Sequence, residues 1–407
     1  MNRIEISSML FRFSLFTVAV TLPLSIYVNS IAIILLLFAW LCEGQFIFKI
    51  KLLMQRPLII IFIIFYLLFL LGMLYTSNIE FGKFNLEKKL SLIVLPLVIG
   101  TSISFNKKMQ ENVLTVFVSS CFVTSLICFG KGLYYYFSTQ SGFYLLHEPL
   151  SSVINFHPPY FGMYLSFGIL IILEHLRKNL FILTRPQKKF LALIAFYFFC
   201  FIILLSARTH LAFLFLFFIT AGTYFFYKQK KLLLWFVVFF CLSGFGIFMM
   251  NKSVFLRERI TKLFTTDLSV IDGGKENGLT IRLVKWKCSI EGIAESPLLG
   301  TGTGDAVDYL VKCYERKNFW GMYPQYRFNS HNQYLETALT LGMPGLIGFL
   351  LCIIAPFVSA WRKRQYLFLS FIALFCFCCL TESLLERQHG IVFFTFFISL
   401  FSFYEKE

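Results

Sequence analysis

Charge is scarce in this sequence. Asp, Glu, Lys and Arg make up 14% of the 407 residues, against 58% hydrophobic residues and 53 phenylalanines. A soluble domain would leave much of that apolar surface in water, so a water-soluble enzyme or carrier is excluded. Alternation of apolar and polar residues is missing as well. The apolar runs are continuous, which excludes a membrane β-barrel and leaves a polytopic helical protein. There is no Walker-type glycine loop, no soluble ATPase segment, no tandem repeat, and no Cys-x-x-Cys or His-rich pattern. The sequence therefore calls for no metal and no cofactor.

What is present is a series of apolar runs long enough to cross about 30 Å of hydrocarbon, which takes roughly 20 helical residues. Twelve spans are predicted, over 11–27, 30–44, 57–75, 90–104, 112–136, 159–175, 190–206, 209–227, 232–250, 333–360, 365–381 and 391–404. The expected fold class is all-α, with nine transmembrane helices in 1–250, one long outer loop over 251–332 and three further helices in 333–407. The N-terminal stretch MNRIEISSMLFRFSLFTVAVTLPLS has the look of a signal peptide. It lacks a small-x-small cleavage site and another span follows at once, so it is expected to be retained.

Basic residues set the expected orientation. With the N-terminus in the cytoplasm, alternate connections on that side carry Lys49, Lys51 and Arg56; Arg177, Lys178, Arg185, Lys188 and Lys189; and Arg362, Lys363 and Arg364. The opposite short connections carry only Lys83, Lys88, Lys89, Lys131, Arg208 and Arg387. Both termini are thus expected inside. Much of the formal net charge of +16 is this topological signal, with no bearing on nucleic acid. The rest sits in the outer loop, where a basic surface beside lipid suits an anionic diphosphate or glycolipid as well as a solvated loop.

All 11 cysteines lie in or beside spans except Cys288 and Cys313, both in the outer loop. In an oxidising compartment these two are free to pair, and spacing alone leaves thiols and a disulfide equally open.

Charges at span ends are costly unless used or paired, which makes each a site candidate. Arg208, in LLSARTHLAFLF, sits in a short outer turn where it fits either a snorkelling arginine or a ligand for phosphate. In GLTIRLVKWKCSIEGIAESPLLGTGTGD, Arg282, Lys285 and Lys287 lead into an amphipathic stretch. Gly302 and Gly304 in the run that follows suit either an anion-binding nest or a plain turn. His157 precedes two prolines that open a span, Lys88 and Lys89 lie at another outer span start, and His331 and Asn332 stand at the lip of the span 333–360.

Together these features resemble the O-antigen ligase superfamily. HNQYLETALTLGMPG has the family's pattern of His331, Asn332, nine residues, then Gly342 and Gly345. RLVKW followed by SPLLGTGTGD is similar to the arginine, tryptophan and glycine stretch of the family's large periplasmic loop, and SARTHL to its short arginine turn. The resemblance implies a metal-independent, inverting glycosyltransferase of the membrane-embedded GT-C type in the bacterial inner membrane. Its donor would be a glycan on undecaprenyl diphosphate, and its acceptor a hydroxyl, with lipid A–core the first choice. Arg208 and Arg282 would bind the diphosphate and His331 would be the general base, with Asn332 and Glu336 orienting it. Repeat-unit polymerisation and transfer to protein hydroxyls remain alternatives within the family, as does a lipid-linked oligosaccharide flippase or transporter outside it. A transporter would carry charges at mid-membrane, whereas here they cluster at one face.

Overall fold

The computed structural model describes residues 3–231, 278–317 and 327–403, together with Leu233 and Phe236. Among them the helices are α1 (Arg3–Thr21), α2 (Ile26–Cys42), α3 (Phe46–Gln55), α4 (Pro57–Gly72), α5 (Ile79–Lys89), α6 (Ser91–Thr101), α7 (Lys107–Thr139), α8 (His147–Ser151), α9 (Pro158–Lys178), α10 (Arg185–Leu204), α11 (Arg208–Lys228), α12 (Gly278–Glu295), α13 (Ala306–Arg316), α14 (Gln333–Arg362), α15 (Tyr366–Cys379) and α16 (Gln388–Ser402). No strand occurs among the described residues.

Five helices are long and apolar enough to cross a membrane alone: α7, α9, α10, α11 and α14. The pair α2 and α3, bent by 112°, makes a sixth candidate if taken as one span. Among the described residues these criteria thus give five or six of the twelve expected spans. Helices α4, α15 and α16 are apolar but have 16, 14 and 15 residues. At 1.5 Å per residue they reach only about 21–24 Å, short of the hydrocarbon thickness. The expected span 90–104 is realised as the 11-residue α6, with Pro96 inside it. The expected span 232–250 falls outside the described residues.

Phenylalanine fills the core. Lipid is as apolar as any side chain, so packing rather than water exclusion must hold the helices together. Phe167 meets Phe397 edge-on at 4.7 Å, Tyr164 stacks on Phe393 at 4.7 Å, and Phe375 stacks on Phe394 at 4.2 Å. These contacts lock α16 between α9 and α15.

Helix α14 is broken at Gly342, whose φ of +64° is open to glycine but strained for other residues. The following Pro344 has no N–H to give, so the carbonyls of the preceding turn lose their intrahelical partners. The segment 297–305 takes them: Thr301 N–H donates to Leu339 O at 2.8 Å and Gly302 N–H to Thr340 O at 3.0 Å. Met343 N–H in turn donates to Pro297 O at 2.8 Å. The same strap is tied to α4, because the Thr303 hydroxyl donates to Phe69 O at 2.6 Å. Its Asp305 carboxylate accepts the backbone N–H groups of Ser77 and Asn78, each at 2.7 Å. Helices α12 and α13 are joined by a disulfide between Cys288 and Cys313, the pair whose state the spacing left open.

Candidate active site

The site is assembled where the connection between α15 and α16 meets the starts of α9, α11 and α14. Asn332 caps α14, its Oδ1 accepting from Tyr334 N–H and Leu335 N–H at 3.0 and 3.1 Å. Its backbone N–H donates to the Ser383 hydroxyl at 3.2 Å and its side-chain amide to Leu380 O at 3.3 Å. Gln333 accepts Leu385 N–H at 2.6 Å, and the Glu336 carboxylate, fully buried, accepts Ser330 N–H at 2.7 Å. The residues around the histidine are thus scaffold: they pin the lip of α14 to the segment 380–386. Helix α11 reaches the same segment through Thr209, whose hydroxyl lies 2.9 Å from that of Thr381.

This pinning presents Glu382 to His331. The carboxylate Oε2 lies 3.1 Å from His331 Nδ1 and Oε1 lies 3.2 Å from Arg282 Nη2. Glu382 is only 7% exposed. Burial alone would raise its carboxyl. The His331 hydrogen bond and charge, followed by the Arg282 guanidinium, outweigh burial, and the group titrates below its usual range. His331 holds a left-handed backbone, φ +46°, which is uncommon for a residue with a side chain and is the kind of strain that gathers at functional sites.

The other expected residues divide. Arg208 is exposed and adjoins Thr209, one residue from the Thr381 contact that flanks Glu382. His157 lies close enough to feel the charges of Glu382 and His331, with its Nδ1 buried and unpartnered among the described residues; burial holds it below the usual histidine range, in its neutral form. Lys89, 1% exposed, pairs with both oxygens of Glu386 at 2.9 Å, and Lys88 donates to Glu386 O at 3.2 Å. These lysines hold the 380–386 connection in place. Gly302 and Gly304 form no open nest, since their N–H groups go to Thr340 O and the Thr76 hydroxyl. The glycine run is the strap that repairs α14.

Sequence reasoning passed over Glu382. Its only signal is an acid between two apolar runs at the same level as Arg208 and His331. Lys285 was noted among the basic residues, but its burial could not be foreseen: it is 3% exposed, with Nζ over the Phe328 ring at 3.9 Å. Among the described residues no group of three or more His, Cys, Asp or Glu side chains is placed to hold a metal ion.

A chain Arg282–Glu382–His331 can do two things chemically. It fixes one tautomer of an imidazole, and it stores a guanidinium beside the ring, where an anion can be met. No curated protein matches the sequence at length or in part. The O-Antigen ligase family model matches residues 193–350, a stretch that contains Arg208, Arg282 and His331. Over that stretch the chain is similar to O-antigen ligases, which supports a place in the O-antigen ligase and polymerase superfamily.

Proposed function

We propose that the protein transfers a glycan from undecaprenyl diphosphate to a hydroxyl of lipid A–core at the outer face of the bacterial inner membrane, with both termini in the cytoplasm. The observation that carries this reading is the contact of Glu382 with both His331 and Arg282. With Nδ1–H donating to Glu382, His331 Nε2 keeps its lone pair for the proton of the acceptor hydroxyl. That oxygen attacks the anomeric carbon as the sugar–phosphate bond breaks, and the bonding electrons leave with the diphosphate. One displacement inverts the carbon. Arg282 and Arg208 stabilise the departing charge, a task for which the planar guanidinium is better shaped than an ammonium. The disulfide between Cys288 and Cys313 supports an oxidising compartment on the side of the site.

The test uses variants of the full-length protein. Arg282→Ala is expected to insert and fold but to bind donor at least about tenfold more weakly, the loss of one charge-assisted contact. His331→Ala is expected to bind donor normally and to lose about 10²- to 10⁴-fold in transfer, the usual worth of a general base. Wild-type transfer rates in either variant would remove the assigned role.

A further inference from the structure

Lys285 is a buried lysine with no ion pair among the described residues. It lies one helical turn beyond Arg282 on α12, and its only contact of note among the described residues is the face of Phe328 at 3.9 Å. The charged groups around it come from three elements: Arg282 on its own helix, Glu336 from α14 and Glu382 from the α15–α16 connection. Neither carboxylate forms an ion pair with it among the described residues. Burying an ammonium without a partner is costly, and the group answers by giving up its proton. Burial, with Arg282 adding to it and the two carboxylates opposing, brings Lys285 down to about 7.

Arg282 cannot serve two anions at once. In the structure it is spent on Glu382, at 3.2 Å, and a diphosphate that recruits it must draw it away. Glu382 would then be left buried with one partner fewer, beside the histidine it orients. We propose that Lys285 is a positioning residue that takes Arg282's place: when an anionic ligand recruits the guanidinium, Lys285 gains a proton and holds Glu382, and through it His331, in register. The exchange balances. One proton comes from solvent to the lysine, the positive charge lost to the ligand is restored at the carboxylate, and no covalent bond changes. Phosphate on Arg282 also cancels the neighbouring charge that had opposed protonation.

The inference rests on the reading of Arg282 as a diphosphate ligand, and its test separates the two. The probe is N-acetylglucosamine linked to undecaprenyl diphosphate, a diester whose phosphates do not titrate near neutrality. Binding to the full-length protein is measured calorimetrically at pH 8 in two buffers of different ionisation enthalpy. Wild type is expected to take up close to one proton per ligand bound, and its affinity to fall up to about tenfold per pH unit above 7, the slope for one linked proton. Lys285→Met, close in size and uncharged, should bind without uptake and with slower transfer. Lys285→Arg, always charged, should also show no uptake yet recover transfer. Binding by wild type without proton uptake overturns the role of Lys285 and leaves the diphosphate reading standing. Uptake that persists in Lys285→Met belongs to another group and overturns it equally. No binding by wild type removes the diphosphate reading, and the inference with it.

Discussion

At the scale of single residues, the site works by sharing one carboxylate between an imidazole and a guanidinium. Glu382 keeps its charge through the whole physiological range because His331 and Arg282 offset the cost of its burial. Replacing it with an amide of the same shape removes the charge and leaves the packing. Glu382→Gln is therefore expected to fold normally and to lose about 10²-fold or more in kcat, since the imidazole is no longer held in one tautomer. Steady-state transfer assays with a melting curve on the same preparation check this; an unchanged kcat would show that Glu382 does not position the base. Arg208, Arg282 and His331 were legible in the sequence because arginine and histidine beside an apolar run stand out. Glu382 was not, because an acid in a short connection looks like any loop residue until Asn332 and Gln333 are seen to fasten that connection to the histidine. Lys285 reads as surface charge for a similar reason: its sequence neighbours say nothing about Phe328 folding over it.

Among the elements, α14 shows how two unrelated motifs serve each other. The sequence poses Gly-Met-Pro-Gly and Gly-Thr-Gly-Thr-Gly as separate puzzles, one in a span and one in a loop. Paired, they are a broken helix and the strap that satisfies its freed carbonyls. An ideal Cβ at Gly342 would lie 2.5 Å from the Leu298 carbonyl carbon and oxygen, and its φ is positive. Gly342→Ala is accordingly expected to cost at least about 1–2 kcal/mol from backbone strain alone, more with the clash, and to lower Tm. It should weaken transfer as well, because the strap and the lip of α14 move together. A variant with wild-type Tm would mean the break is not held as described. Long apolar helices such as α7 and α9 were readable from hydropathy alone. The shorter helices α4, α15 and α16 were expected as full spans, and hydropathy measures composition, not where the helix ends at Gly72 or Cys379.

In the whole molecule the two ends of the bundle do different things. At one end Arg56 grips Gly100 O and Phe403 O, at 2.5 and 3.1 Å, and Lys49 pairs with Glu43 at 3.0 Å, so the basic residues there are partly structural. At the other end lie the strap, the disulfide and every residue of the candidate site. The bond between Cys288 and Cys313 closes a 25-residue separation and ties the helix bearing Arg282 to α13. Breaking it, with reductant or as Cys288→Ser, is expected to cost about 2–4 kcal/mol and to weaken donor binding before it unfolds the membrane helices. Mass analysis without reductant decides whether the bond exists in the native protein; two free thiols would contradict its place here.

The most direct measurement is a transfer assay. Purified protein in detergent receives a labelled glycan on undecaprenyl diphosphate, with lipid A–core offered as acceptor in one reaction and a second lipid-linked repeat in another. The account predicts a single shift of the lipid A–core band, release of undecaprenyl diphosphate, and loss of both in His331→Ala. A ladder of lengthening lipid-linked glycan would contradict transfer to lipid A–core and make the protein a polymerase. Intact donor in both reactions would contradict the proposed chemistry itself.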